Sequence, residues 1–232
     1  MKTKEGLWKL SPSGLYGFEE CTACFWLEQH HGKGPGLPWL LNSAMDSILK
    51  TRYDEFRAKG KMPPEVKKLE DEGITLFKDA ELLSKWRGST KDLKIVNEKV
   101  GYEMGGKLDD LLLEPDGRFI PMNFKSSGYA PKDDKQKYYV AQLNAYAFMF
   151  REHGYKVSDR AYLLHYFVKD TKNPSLNVEF TSHIDPVKLD LKDFEKKLID
   201  VIALLNGPYP GDDLECKKCV YQTGREGRKN GK

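Results

Sequence analysis

Gly105-Gly106-Lys107-Leu108-Asp109-Asp110-Leu111-Leu112-Leu113-Glu114-Pro115-Asp116-Gly117-Arg118-Phe119-Ile120-Pro121-Met122-Asn123-Phe124-Lys125 reads as a strand, a tight turn and a returning strand. Pro115-Asp116-Gly117 supplies the turn: proline presets one backbone angle, and Asp and Gly tolerate the conformations that reverse a chain. The flanking runs Tyr102 to Glu114 and Arg118 to Lys125 are expected to be the strands, with Asp109 inside the first. Counting back from the turn brings Asn123 and Lys125 beside Asp109, and their separation of two puts both side chains on one sheet face. Ile120, Met122 and Phe124 alternate with them and are expected to face the core, which leaves the polar groups to line solvent or a site.

Lys94 to Val100 precedes this hairpin as a third strand, so the middle of the chain reads as a meander. Upstream, Ser13 is placed to cap a helix running toward His31, and Gly32 to Pro38 breaks the chain. From Asn42, a cap, Met45, Ile48, Leu49, Tyr53 and Phe56 recur at helical spacing until Gly60, with Asp46 at the edge of the apolar stripe. Lys61 to Glu72 reads as a charged connection and Ala80 to Arg87 as a short helix. Downstream, Tyr138 to His153 is helical and stops at Gly154. Ala161 to Val168 and Leu176 to Ile184 form a second strand pair, and a helix from about Leu189 to Leu205 closes the fold. Residues 1–223 are expected to form one domain and 224–232 a basic disordered tail.

The chain has 232 residues, 39% hydrophobic and 31% charged, with a formal charge of +3. It is long enough to bury a sizeable core. No apolar run approaches a membrane span, and Met1 to Gly6 lacks the apolar stretch of a secretion signal, so the expected compartment is cytoplasmic. The charge permits a polyanionic partner without identifying one.

Four cysteines form two Cys-x-x-Cys pairs at opposite ends, Cys21 with Cys24 and Cys216 with Cys219. Two intervening residues let both thiolates of a pair reach one metal centre, so the simplest geometry joins the termini around a shared cluster or ion. A disulfide framework is the weaker reading for so few cysteines in so long a chain. His30 and His31 read as a solvated helix end, while His153, His165 and His183 lack spaced partners. Trp26, Trp39 and Trp86 read as core residues, with base stacking as the alternative.

The order Asp109, Asn123, Lys125 resembles the PD-(D/E)xK nuclease superfamily, whose hairpin presents an Asp, then an Asp or Glu, then a Lys two residues later. Gln142-Leu143-Asn144-Ala145-Tyr146 is similar to the Q-x-x-x-Y helix motif of its RecB-like and CRISPR-associated exonuclease branch, and the terminal cysteines resemble the branch's iron–sulfur members. The resemblance implies an α/β, restriction-endonuclease-like core: a central mixed sheet flanked by helices, with the termini joined at the four-cysteine metal centre. It also implies Mg²⁺- or Mn²⁺-dependent cleavage of DNA, from single strands or ends. Asp109, Asn123, Lys125, Gln142 and Tyr146 would be the catalytic set. Asp109, Asn123, the Phe124 carbonyl and, from the preceding helix, Asp46 would be the metal ligands. Cys21, Cys24, Cys216 and Cys219 would hold a [4Fe-4S] cluster, with Zn²⁺ as the alternative that four thiolates suit equally.

Two positions depart from the family pattern. The cysteines divide two and two, where iron–sulfur relatives place one before the core and three after it. The second acid is Asn123, whose amide oxygen can touch a metal but brings no charge, and hard divalent cations favour carboxylates. Intact neighbouring motifs favour an inactivated variant of an active nuclease over a natural loss of activity. A catalytically silent nucleic-acid-binding module and a zinc-stapled interaction domain are the alternatives from other functional classes.

Overall fold

In the computed structural model, residues 1–33, 40–131, 137–170, 172 and 177–222 are described. Trp39, Leu176 and the basic tail lie outside them. In chain order the elements are β1 (Trp8–Leu10), a 3-10 turn (Pro12–Gly14), α1 (Tyr16–Glu20), α2 (Thr22–His31) and α3 (Leu40–Ala58). A 3-10 segment (Pro64–Glu72), β2 (Thr75–Leu76), α4 (Ala80–Gly88), β3 (Ile95–Asn97), β4 (Tyr102–Met104) and β5 (Asp110–Leu113) follow. β6 (Phe119–Ser127), α5 (Lys137–Glu152), β7 (Arg160–Val168), β8 (Phe180–Lys188) and α6 (Leu191–Asn206) complete the set.

The expected meander is two sheets. β1, β4 and β3 make a small three-stranded sheet, and β2-β5-β6-β7-β8 make a five-stranded mixed sheet. The chain changes sheets between Met104 and Asp110, so the continuous strand expected from Tyr102 to Glu114 is broken, and Asp109 sits just ahead of β5 rather than inside it. The two glycines in the break explain it. A Cβ on Gly105 would lie 2.4 Å from the Thr90 carbonyl oxygen, and one on Gly106 would meet Pro12 at 2.7 Å and Tyr146 at 3.1 Å. Only residues without side chains let the backbone approach this closely.

The helix expected from Ser13 to His31 is also interrupted. Cys21 is extended (φ −165°, ψ 112°), and its Sγ accepts a hydrogen bond from Cys24 N, so it caps α2 in place of a serine. α3 and α4 lie close to their expected spans, while β8 continues through Pro186 and Val187, which pushes the start of α6 to Leu191. Strands β1 and β2, only three and two residues long, carry too little alternation to be read from sequence.

β5 and β6 pair antiparallel with Asp110 opposite Met122 and Leu113 opposite Phe119. β6 and β7 pair parallel, linked across α5, with Lys125 opposite His165. β7 and β8 are antiparallel, with His165 opposite His183. One face of β6 and β7 (Ile120, Met122, Phe124, Tyr162, Leu164) packs on Leu49 and Tyr53 of α3 and on Val66 and Leu69 of the 3-10 segment. The other meets α5, where Leu143 and Ala147 pack with Ala161, Leu163 and Val187. The polar face of β6 therefore lies largely under a helix rather than open to solvent, as expected for strands buried on both sides. α5 is buried continuously from Ala141 to Phe150, because α6 and the small sheet cover its remaining side.

A buried ion-pair network fixes the start of β5. The Asp110 carboxylate is fully buried and pairs with Arg57 of α3 and, at 2.9 Å, with Arg87 of α4. Arg87 Nε also donates to the Asp109 carbonyl at 2.7 Å, and Arg57 Nε to the Phe77 carbonyl at 2.6 Å. Removing one member of such a set strands the opposite charge in the interior. Asp110→Ala should lower unfolding stability by about 3–5 kcal/mol, read as a shift in denaturant midpoint at constant slope. A shift of less than about 1 kcal/mol would mean that solvent already screens Arg57.

Candidate active site and four-cysteine centre

Continuing the β5–β6 register by one residue sets Asp109 opposite Asn123, and the backbone fixes the approach: Phe124 N donates to Asp109 Oδ2 at 2.9 Å. Asn123 and Lys125 share the face of β6 beneath α5, while the Phe124 ring points the other way, onto Tyr53 at 4.8 Å between centroids. Only the backbone of Phe124 is thus available to this side. The amide of Asn123 is 1% exposed, and neither its oxygen nor its nitrogen has a hydrogen-bond partner among the described residues. Burying an amide in that condition costs about 1–3 kcal/mol per unmet group, a penalty that a ligand or ordered water would relieve.

Asp46, one turn before Lys50 on α3, reaches the same place. Lys50 Nζ lies 2.7 Å from Asp46 Oδ2 and 3.4 Å from Asp109 Oδ1. Sequence reading passed over Lys50, although Asp46 and Lys50 stand at the i, i+4 spacing of a helical ion pair. Burial pushes the Asp109 carboxyl above the usual carboxylate range, against the pull of Lys50 and Lys125. Burial draws the Lys125 ammonium below the ordinary lysine value, opposed by Asp109 and Asp46. Lys125 Nζ also lies over the Tyr139 ring at 4.8 Å.

Gln142 and Tyr146 lie on the face of α5 that meets the loop between the sheets. The Tyr146 hydroxyl donates to the Lys107 carbonyl at 2.5 Å and engages the Gln142 side chain. Burial raises the tyrosine's pKa, helped by the negative charge of Asp109 and Asp46. Through its bond to the Lys107 carbonyl, the Tyr146 hydroxyl ties α5 to the 105–109 loop, two residues before Asp109.

His165 corrects the reading of an isolated histidine. It is buried on β7 as the register partner of Lys125, and its Nε2 lies 3.8 Å from Asp185 Oδ2, while His183 Nε2 lies 2.9 Å from Asp185 Oδ1. The polar row of β6 thus continues across two further strands. Its signal was the β6–α5–β7 order, since a strand, helix and strand of this kind set the two strands side by side. His30 is likewise no solvated helix end: it stacks on Trp26 at 3.6 Å. Trp86 is a core residue, 5.0 Å from Phe150.

The four cysteines come together. Cys21 and Cys24, at the start of α2, meet Cys216 and Cys219, and all four sulphurs lie within 4.8 Å of one another. The separations given by direct contact are 3.7 Å for Cys21–Cys219, 3.7 Å for Cys24–Cys216 and 3.5 Å for Cys24–Cys219. These are far beyond a disulfide bond of about 2.05 Å, so the four sulphurs are not joined as disulfides. Burial raises the Cys24 thiol. Cys216 is drawn down to about 7, first by the backbone N–H of Cys219. A set of four converging sulphurs can hold a metal centre.

The family profile PDDEXK_1, described as the PD-(D/E)XK nuclease superfamily, matches residues 40–223. No curated protein matches the chain. Among solved structures, one titled "Crystal structure of SSO0001" is similar at 16% identity and a TM-score of 0.48, over 96% of this chain and 87% of that one. With its mixed sheet between helices and a profile match over most of its length, the chain belongs to the PD-(D/E)XK nuclease superfamily.

Proposed function

We propose that this protein is a metal-dependent nuclease that cleaves DNA, from single strands or ends, with Asp109, Asn123 and Lys125 as its reacting centre. The observation that carries the reading is the buried amide of Asn123, without a hydrogen-bond partner among the described residues, beside the Asp109 carboxylate. Membership of the superfamily supports the reaction class, and the resemblance of Gln142 and Tyr146 to the exonuclease branch supports the substrate. We place the protein in a reducing, cytoplasmic compartment, where thiols stay available to a metal. Among the described residues no helix is long and apolar enough to cross a membrane.

Asp46, Asp109, the Asn123 oxygen and the Phe124 carbonyl would hold Mg²⁺ or Mn²⁺, which supplies a Lewis acid for the phosphoryl oxygens and an acidified water. The chain's own groups divide the remaining work. Lys125 keeps an ammonium beside the position where charge grows on the phosphoryl oxygens and orients the attacking water. Water adds to phosphorus, the bond to the departing oxygen breaks, and that oxygen leaves with a proton. Gln142 and Tyr146 act through the 105–109 loop. Asn123 weakens the ligand set by one charge, so turnover should be low while folding and DNA binding persist.

A silent DNA-binding module is the second reading, and Lys50 favours it: its ammonium already sits between Asp46 and Asp109. End-labelled single- and double-stranded DNA, incubated with Mg²⁺ or Mn²⁺, separates the two. Asn123→Asp should raise metal-dependent cleavage on the order of tenfold or more. Binding without cleavage by both forms would leave the module. Lys125→Ala, made in the Asn123→Asp background, should cut the rate about 10²- to 10³-fold with DNA affinity changed only severalfold. An unaltered rate would remove Lys125 from the chemistry. Lys50→Ala frees both carboxylates and should tighten Mn²⁺ binding about tenfold in a calorimetric titration. Equal or weaker binding would show that Lys50 does not compete with the metal.

A further inference from the structure

The resemblance implies a [4Fe-4S] cluster at the cysteines, and the sulphur geometry does not fit one. In a four-iron cube each thiolate rides on its own iron, so every sulphur–sulphur edge is longer by one iron–iron separation and reaches about 6 Å. A single tetrahedral ion with four bonds of about 2.3 Å sets edges of about 3.8 Å. The contacts in the structure are 3.5, 3.7 and 3.7 Å, and no pair of the four exceeds 4.8 Å.

The backbone around the thiols agrees. Cys24 N donates to Cys21 Sγ at 3.4 Å, closing a tight turn across the first Cys-x-x-Cys. In the second pair Val220 N donates to the Cys216 carbonyl at 3.0 Å, closing a helical turn that carries Cys216 and Cys219. Each pair is therefore a compact turn whose two sulphurs present one edge of a tetrahedron. Two such turns facing each other make a four-sulphur cage around one ion. The two-and-two division of the cysteines, which departs from the one-and-three pattern of the iron–sulfur relatives, is the sequence counterpart of this symmetry.

We infer that Cys21, Cys24, Cys216 and Cys219 hold one zinc ion that clasps the two ends of the chain, in place of an iron–sulfur cluster. Four thiolates carry a charge that a redox-inert d¹⁰ ion tolerates without geometric preference, and a closed four-ligand shell is the structural form of such a site. No open coordination position remains for a substrate. The clasp is separate from the nuclease reading, and its test reads no cleavage.

The full chain should be expressed in medium containing both iron and zinc and purified without oxygen, then assayed for metal and acid-labile sulphide. The expected result is one zinc per chain, no sulphide and no visible absorbance. Iron and sulphide each near four per chain, with a brown colour, would overturn the inference, as would a single iron or a metal-free protein that is folded. Cobalt exchanged into the zinc form should give the intense visible bands of tetrahedral cobalt with thiolate charge transfer, and an octahedral, pale spectrum would count against the cage. Cys24→Ser with Cys216→Ser should abolish stoichiometric zinc. Full zinc retention in that variant would place the ion elsewhere and overturn the assignment.

Discussion

The hydrogen bond from the Phe124 amide to the Asp109 carboxylate fixes the relation between two adjacent acids on which the rest of the site depends. Asp109 and Asp110 are neighbours in sequence, and alternation along an extended chain sends them to opposite sides. One side holds Arg57 and Arg87, which neutralise Asp110 in the interior. The other holds Lys50, Asn123 and Lys125. A slip of one residue in the β5–β6 register that carried Asp110 into the place of Asp109 would turn Leu111 toward the arginines, leaving them without their buried counter-ion and Asp109 without its place beside Asn123. The same ion pairs that stabilise the fold therefore also select the register that builds the site. Arg87 joins the two functions directly, since it binds the Asp110 side chain and the Asp109 carbonyl.

Much of this was legible because it is local. The Pro115-Asp116-Gly117 turn and the alternation of Ile120, Met122 and Phe124 set the hairpin, and a hairpin register follows from its turn. What sequence did not display was the change of sheet at Gly105-Gly106. Alternation reports which face a residue takes, not which strand pairs with it, and the reason for the break lies in Thr90, Pro12 and Tyr146, all distant in sequence. Lys50 and His165 were missed for related reasons. Their importance comes from register and helix placement across long separations, so each looks ordinary by itself. The cysteines were visible as a set because Cys-x-x-Cys is self-contained, yet their distances, not their spacing, bear on which metal centre they suit.

The charge arrangement around Asp109 is unusual for a cation-binding site. Asp46 and Asp109 contribute two negative charges, Lys50 and Lys125 contribute two positive ones, and Asn123 contributes none. With both lysines charged the cluster is balanced without an added ion, so a divalent cation entering it must displace Lys50 from Asp46 or add to a neutral group. At an effective dielectric of about 20, two unit charges 4 Å apart interact by about 4 kcal/mol, which makes the lysine a serious competitor. A carboxylate at position 123 would shift that balance by a full charge within the same volume. Among the described residues the Asn123 amide has no hydrogen-bond partner, at the position such a carboxylate would take.

The clasp acts on this site through the fold. Cys21 and Cys219 are separated by 198 positions, and closing a loop of that size in the unfolded chain removes entropy worth about 5 kcal/mol. The five-stranded sheet, strands β3 and β4 and the candidate active site lie within the closed loop, and β1 precedes it. A line of contact also runs from one to the other. Cys21 caps α2 directly after α1, and α1 follows the 3-10 turn whose Pro12 fills the space over Gly106. Gly106 lies against Tyr146, whose hydroxyl holds the Lys107 carbonyl two residues before Asp109. Opening the clasp would release α1 and the 3-10 turn before it reached the five-stranded sheet, because the strands keep their own pairing. The first element of the site to lose support would be the 105–109 loop, and with it the placement of Asp109 opposite Asn123. A metal remote from the reacting groups can thus govern their geometry without entering the chemistry.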